Sequence, residues 1–199
     1  MSVGYESRAV AVFRALAGEN DQGSVPFVVD ELPIYQTNME KGDYSIYRYG
    51  MEEGASDMGF TFNQTFNEDP EIGKWMRTRD FRIALSLAID RDAANDVNFL
   101  GIGVPTNSGP PPTSPIYLGE EWATLDATYD PERANQILDS LGLVDTDGDG
   151  MRNRIGDLDG NDGNLELFME VQTGGHAMDR HIRTSSLVED YWEAIGINL

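Results

Sequence analysis

An aspartate-rich segment near residue 150 is the part of this chain best suited to chemistry. It reads DTDGDGMRN over residues 145–153, with aspartates at its first, third and fifth positions and Gly150 at its sixth. Three hard carboxylates followed by a glycine that permits a sharp turn are typical of calcium loops of the EF-hand type. The predicted calcium ligands are Asp145, Asp147, Asp149, Met151 through its carbonyl, and Asn153.

The same segment departs from a calcium loop at its twelfth position. Gly156 stands where the pattern requires a bidentate glutamate, and Asp157 or Asp159 could replace it only in a distorted loop. The alternative is a plain turn between a helix and a strand, because glycine and aspartate favour turns in any case. Both interpretations stay open. No cofactor is required by the sequence, and Ca²⁺ is the one that it suggests.

Residue types suited to catalysis are scarce in this chain. It has no cysteine, which excludes thiol catalysis, disulfides and cysteine-ligated metals. His176, Asp179 and His181 lie close in sequence, but two histidines five residues apart do not share one face of a helix. Glu120 and Glu121 supply acids, whereas a carboxylate hydrolase needs two acids that face each other across a cleft. We therefore expect a protein that is not an enzyme.

The charge balance limits the partners. The 199 residues include 35 acidic and 14 basic ones, so the net charge is −21. We expect no nucleic-acid partner, because binding the phosphate backbone requires basic side chains. Apolar residues make up 40% of the chain, which is enough for a folded core. No apolar run reaches the roughly 20 residues of a membrane-spanning helix.

Helical and strand periodicities alternate along the chain. Apolar residues at three- and four-residue steps predict helices at 5–17, 78–98, 130–141 and 176–195. Short or alternating apolar segments predict strands at 25–29, 44–49, 58–62 and 165–171, and residues 197–199 resemble the start of another. The rest of 18–42 and the proline-rich segment 104–116 are predicted to be mainly loop. This mixture favours an α/β fold, mixed α+β in type.

The sequence of one predicted helix resembles a motif of a known protein family. Residues 82–91 read R-x-A-L-S-x-A-I-D-R, which is similar to a helix of the family 5 extracellular solute-binding proteins. These are the dipeptide-, oligopeptide- and nickel-binding components of ABC importers. Five more segments resemble motifs of that family in the same order: F-N-x-T at 62–65, the glycine and proline loop at 101–115, Y-D-P-x-x-A-x-x-I-L at 129–138, G-L-x-D-x-D-G-D-G at 142–150, and W-x-x-I-G-I at 192–197.

The resemblance implies a two-lobed fold that binds solute between lobes joined by a hinge. This chain would be an internal fragment of a type II, cluster C periplasmic-binding-protein-like fold, truncated at both ends. Residues 58–199 would form part of the second lobe, and residues 1–57 the end of the first lobe or a segment near the hinge. The implied function is capture of a solute, peptide above all, and its delivery to ABC permease subunits in the membrane.

The resemblance also implies a location and a short set of ligand-binding residues. The location is the periplasm or the extracellular face of the cytoplasmic membrane, with a signal or lipid anchor outside this sequence. Thr61, Phe62, Asn63 and Gln64 correspond to a family strand near the cleft, and the alternative is a central strand with a purely structural role. An alternative for the whole protein is a calcium-stabilised extracellular module without a transport role.

The helix that carries the main motif is better explained by packing than by ligand binding. Ala84 and Ala88 are small enough to let the helix approach a sheet closely. At its end, Arg91 either pairs with Asp90 or complements the negative helix terminus.

Overall fold

Helices make up most of the regular structure in this computed structural model, which describes residues 7–20, 28–47, 58–156, 163–172 and 178–199. A 3-10 turn at Val29–Glu31 precedes the second helix. The helices within the described residues are α1 (Arg8–Leu16), α2 (Leu32–Gly42), α3 (Pro70–Arg77), α4 (Arg79–Leu87), α5 (Arg91–Phe99), α6 (Glu120–Ala123), α7 (Pro131–Ser140) and α8 (Met178–Glu193). None of these described helices is both long enough and apolar enough to cross a membrane.

The predicted helices are confirmed, with one correction. The helix predicted over 78–98 is two helices, α4 and α5, because Asp90 begins a new one: its Oδ1 accepts a hydrogen bond from the Ala93 amide at 2.9 Å. At α7 the predicted start is confirmed, since Asp130 Oδ1 accepts from the Arg133 amide at 2.9 Å and Pro131 occupies the first turn.

Three helices lie where the sequence analysis predicted none. Helix α2 occupies much of the segment expected to be loop, and α3 and α6 were also missed. The start of α3 repeats the signal used at α7: Asp69 precedes Pro70, and Asp69 Oδ1 accepts from the Ile72 amide at 3.0 Å. This aspartate–proline pair was therefore sufficient to predict α3.

The predicted strands are not confirmed, and the mixed α/β prediction is not confirmed with them. Within the described residues only two isolated bridges occur, Asn153 with Asn164 (antiparallel) and Glu166 with Asn198 (parallel). Residues 58–62 are irregular, and the segments 25–29 and 44–49 lie partly outside the described residues.

Residues 165–171 keep the side-chain alternation of a strand without its ladder. Leu165 and Leu167 are buried, whereas Phe168 is 88% exposed. Among the described residues it has partners at its start alone: the Leu165 amide donates to the Arg152 carbonyl at 2.7 Å, and the Leu167 amide donates to the Asn198 carbonyl at 2.8 Å. A ladder needs a neighbour along its length, so the segment is extended and bridged at one point.

The core is formed mainly by α4, α7 and the last turns of α8. Ala84 and Ala88 are buried as predicted, but the element that packs on α4 is the helix α7 rather than a sheet. The other fully buried residues of these elements include Phe81, Leu85, Ala134, Leu138 and Val188. Small residues where α4 meets α7 let the two helices approach closely.

Arg91 resolves the two alternatives proposed for the end of α4. Its Nη1 donates to the Ser86 carbonyl at 2.8 Å and to the Ala127 carbonyl at 3.1 Å. Asp90 instead begins α5, and no ion pair joins Asp90 and Arg91 in this described region. The arginine therefore complements the negative end of α4, as predicted.

Candidate functional site

A wall of three aromatic rings borders a groove in the described structure. The Phe62 and Trp192 rings stack with centroids 6.3 Å apart, and Phe60 meets Trp192 edge-on at 6.2 Å. Trp192 is 4% exposed, and its Nε1 donates to the Leu85 carbonyl at 3.0 Å. Because Trp192 is buried, contacts both phenylalanine rings and has its polar atom engaged, it helps to fix the position of the irregular segment that carries them.

The groove beside this wall has a volume of about 700 Å³. Its sides are formed by residues 58–63, by the α3 side chains Ile72 and Met76, by residues 167–172, and by one face of α8. A groove of this size, lined by both apolar and polar groups, is within the range of sites for small organic ligands and short peptide segments.

The structure places three of the four predicted ligand residues at this groove. Thr61, Phe62 and Asn63 line it, and Gln64 does not. Asn63 Oδ1 already accepts hydrogen bonds from the Thr65 amide at 3.1 Å and the Thr65 hydroxyl at 2.8 Å. Phe62 therefore offers apolar surface to the groove, while the carbonyl of the Asn63 side chain serves the local turn.

A polar residue of α8 that the sequence analysis missed also lines the groove. Ser185 is 8% exposed, and within the described part of the chain its Oγ has no hydrogen-bond partner. His181 and Trp192 line the groove from the same helix. Their spacing from Ser185, four and seven residues, places all three on one face of α8, and that periodicity was available in the sequence.

The acidic loop brings its three aspartates together. Asp145, Asp147 and Asp149 each place a carboxylate oxygen within 4.8 Å of the others, and all three are exposed. In the described part of the chain, this is the one group of three or more acidic or histidine side chains close enough to hold a metal ion. Gly150 has φ of +92°, so the predicted glycine-dependent turn is present.

The loop is also held by its own hydrogen bonds. The amides of Gly148 and Gly150 donate to the two carboxylate oxygens of Asp145 at 2.7 and 2.9 Å. These backbone bonds favour the ionised form and lower the pKa of Asp145. The Met151 amide donates to Asp149 Oδ1 at 2.8 Å.

Asn153, the last predicted calcium ligand, closes the loop with its side chain, and its side-chain oxygen already accepts hydrogen bonds. Its Oδ1 accepts from the Thr146 amide at 2.6 Å and from the Thr146 hydroxyl at 2.7 Å. Its Nδ2 donates to Asn164 Oδ1 at 3.0 Å. The calcium assignment of Asp145, Asp147, Asp149, Met151 and Asn153 therefore stays a prediction.

Two arginines with largely buried side chains anchor the chain next to the acidic loop. Arg152 donates from Nε to the Ile195 carbonyl at 2.8 Å and from Nη2 to Asn135 Oδ1 at 2.6 Å. Arg154 makes a bidentate ion pair with Asp69, at 2.8 and 2.9 Å. The loop is thus tied to α7, to the end of α8 and to the start of α3.

Within the described residues, the side chains considered for catalysis are not found together in one site. His176 lies outside the described residues. His181 Nδ1 is 3.3 Å from the Gln172 carbonyl oxygen, and Asp179 is exposed at the start of α8. Glu120 and Glu121 are both exposed on α6.

A family model described as "Bacterial extracellular solute-binding proteins, family 5 Middle" matches residues 6–199. The solved structure of the oligopeptide-binding protein OppA matches with 27% identity and a TM-score of 0.78, over 98% of this chain and 29% of its own. No curated protein sequence matches significantly.

Two further solved structures resemble this chain. The oligopeptide-binding protein AppA from Bacillus subtilis, in complex with a nonapeptide, is 18% identical over 96% of this chain and 33% of its own, with a TM-score of 0.60. That likeness concerns the fold alone. The periplasmic binding protein MelB from Agrobacterium fabrum, in complex with stachyose, is 26% identical over 63% of this chain and 18% of its own, with a TM-score of 0.47.

The family model covers nearly the whole chain, including residues 6–57, where none of the quoted motifs lies. The structural neighbours are periplasmic binding proteins of the type II fold, and the chain spans 29% of the length of OppA. The resemblance inferred from residues 82–91 and the five other motifs is confirmed: this chain belongs to the bacterial extracellular solute-binding proteins of family 5.

Proposed function

We propose that this chain is part of the solute-binding component of an ABC importer and that its solute is a peptide. The observation that carries the proposal is the match to OppA, at 27% identity over 98% of the chain. Membership of an extracellular binding family supports a role in binding rather than in catalysis. It also supports a location in the periplasm or on the outer face of the cytoplasmic membrane.

The groove supports this function through two kinds of contact. Phe60 and Phe62, which are partly exposed at the groove, present aromatic surface, on which an apolar side chain of the solute gains free energy by leaving water. Ser185 supplies a buried hydroxyl that has no described partner, and a hydrogen bond from the solute would satisfy it. Binding would then be completed by closure against a second lobe, and permease subunits would recognise the closed form.

The proposal is tested with the protein as its complete gene encodes it. The purified protein is mixed with a peptide library, and the retained peptides are identified by mass spectrometry. Recovery of defined peptides supports the proposal, and recovery of none, with the protein folded, overturns it.

A variant of Ser185 tests the place of binding. Ser185→Ala removes a hydroxyl that has no described partner, so we expect unchanged or slightly higher stability and about fivefold to tenfold weaker binding of the recovered peptide. The control is Ser140→Ala, which removes an exposed hydroxyl on α7. Equal affinity of the two variants, measured by calorimetry, would place the peptide elsewhere.

The alternative function, a calcium-stabilised extracellular module without a transport role, is favoured by one observation: the three carboxylates of the loop lie within 4.8 Å of one another. On that alternative, calcium raises the melting temperature of the protein, and Asp147→Ala abolishes the rise. Asp190→Ala, which removes an exposed carboxylate of α8, leaves the rise intact. If calcium has no effect on the melting temperature of the wild-type protein, the loop is a turn.

A further inference from the structure

The groove beside the aromatic wall is lined by charge of one sign. Among the described residues that border it, Glu170 is the one carboxylate, and no lysine or arginine is among them. The other lining residues are apolar or carry neutral polar groups, apart from the titratable side chain of His181. A solute that enters the groove therefore meets one negative charge and no lysine or arginine to balance it.

The Glu170 carboxylate is available to a solute. It is exposed, and no hydrogen bond or ion pair joins it to another residue of the described structure. The two acids at the start of α3 differ from it, because Asp69 and Glu71 both pair with Arg154. An unpaired acid is in itself expected in a chain with 35 acidic and 14 basic residues. Glu170 is distinguished by its place on the groove, where a bound solute passes beside it.

An independent feature marks the same groove as a place for a ligand. Ser185 lines it and is 8% exposed, and its Oγ has no hydrogen-bond partner within the described residues. A buried hydroxyl without a partner costs free energy, which a hydrogen bond to a ligand recovers. His181 adds an acceptor: its Nδ1 lies 3.3 Å from the Gln172 carbonyl oxygen, so we assign the proton of the neutral ring to Nδ1, which leaves Nε2 to accept.

The charge of the whole chain acts in the same direction as Glu170. The net charge is −21, so the summed field repels anions and attracts cations. A groove concentrates such a field, which raises the local concentration of oppositely charged solutes and speeds their association. Salt screens the effect, with a screening length of about 10 Å at 0.1 M. Cationic solutes are therefore favoured during approach as well as on contact.

We propose that the groove selects peptides with a cationic side chain, lysine or arginine, which pairs with Glu170 while an apolar side chain of the same peptide lies on Phe60 and Phe62. This inference rests on the proposed function and names the class of peptide that the protein binds. Every free peptide has a terminal amine, so that amine cannot make one peptide preferred over another. The selection therefore concerns side chains.

The test uses the protein as its complete gene encodes it and calorimetry at low salt, about 0.02 M. One peptide retained from the library is synthesised with lysine, with acetyl-lysine and with glutamate at each position in turn. At one position at least, we expect the lysine peptide to bind about twofold to fivefold more tightly than the acetyl-lysine peptide, as for an exposed ion pair, and the glutamate peptide to bind most weakly. Equal binding of the three peptides at every position overturns the proposal and leaves the peptide role intact. Retention of no peptide from the library refutes the proposed function, and this inference with it.

Two variants of one extended segment assign the preference to Glu170. Glu170→Gln should reduce the preference for lysine over acetyl-lysine to less than about 1.5-fold and leave the affinity for the acetyl-lysine peptide unchanged. The control is Glu166→Gln, which removes the same charge at an exposed side chain that does not line the groove, and it should retain the preference. Because both side chains are exposed, both variants should unfold at the urea midpoint of the wild-type protein. Equal effects of the two variants on the preference overturn the proposal.

Two further measurements identify the cationic group and the force that acts on it. Acetylation of the terminal amine of the lysine peptide should leave the preference unchanged, and loss of the preference would assign the contact to the terminus and overturn the proposal. Raising the salt to about 0.5 M should shrink the preference, because an exposed pair is screened. A preference that keeps its full size at high salt would not come from the charge of Glu170 and would also overturn the proposal.

Discussion

Glu71 is the residue whose replacement tests the structural reasoning most sharply. It lies in the first turn of α3 and is 0% exposed. Its Oε1 accepts from the Trp75 indole at 3.2 Å and from the Ile155 amide at 2.7 Å. Its Oε2 accepts from the Gly156 amide at 3.0 Å and from Arg154 Nε at 3.5 Å. Every donor around this side chain therefore requires an acceptor.

Glu71→Gln preserves the shape of the side chain and replaces one acceptor by a donor. In either orientation, the new NH₂ group faces two N–H donors and leaves both without an acceptor. An unsatisfied buried donor costs about 1–3 kcal/mol, so the two together should lower the free energy of unfolding by about 3 kcal/mol. For a chain of this size, that corresponds to a melting temperature lower by about 6–12 °C.

The measurement is urea unfolding at neutral pH, followed by circular dichroism, with Glu68→Gln as the matched control. Glu68 is exposed three residues earlier, and both variants remove one negative charge. We expect the control to lie within about 0.5 kcal/mol of the wild-type protein. If Glu71→Gln is destabilised by no more than the control, the buried acceptor network does not stabilise the fold as argued.

Two further substitutions have defined outcomes. Burial alone would raise the pKa of Asp69, but the hydrogen bonds and charge of Arg154 and the hydrogen bonds from the Ile72 and Glu71 amides together outweigh it and hold the pKa below its ordinary value of 3.8. Because the folded pKa is lowered, the stabilisation is present at neutral pH and is lost as the pH falls below 3.8 and through the folded pKa. Asp69→Asn should therefore lower the free energy of unfolding by about 2–3 kcal/mol at pH 7. Measured by urea unfolding at pH 3, the difference between the variant and the wild-type protein should be smaller. An equal difference at the two pH values would contradict this. Trp192→Phe removes the hydrogen bond to the Leu85 carbonyl and should lower the free energy of unfolding by about 1–3 kcal/mol. The control Trp122→Phe, at a side chain that is 56% exposed, should lower it much less. Equal unfolding midpoints of the two variants would contradict the structural role of Trp192.

Local signals in the sequence predicted local structure well. Asp130 begins α7 and Gly150 makes the turn of the acidic loop because each acts within a few residues of itself. The alternation over 165–171 predicted which side chains face inward. It did not predict the missing ladder, because hydrogen bonding along a strand depends on a neighbour that periodicity does not reveal.

The buried polar residues could not be predicted from local patterns. A glutamate in the first turn of a helix is typical of a solvent-exposed position, and Glu71 is buried only because Arg154 and the amides after it, over 80 residues later, approach it. Ser185 is similar, since its periodicity on α8 places it on a face, but its lack of a partner depends on the tertiary packing. The family motifs identified the fold where local propensity was insufficient.

In the acidic loop, removing one carboxylate should change the melting temperature in a direction that depends on whether calcium is present. Its three carboxylates lie within 4.8 Å of one another, so without a cation they repel. Asp147→Asn removes one of these charges and retains the oxygen that accepts from the Asp149 amide at 3.4 Å. In a chelator, the variant should therefore have a higher melting temperature than the wild-type protein. In calcium, a binding loop reverses that order because the variant has lost a ligand, whereas a plain turn leaves it unchanged. A variant less stable than the wild type in chelator would show that carboxylate repulsion does not govern this loop.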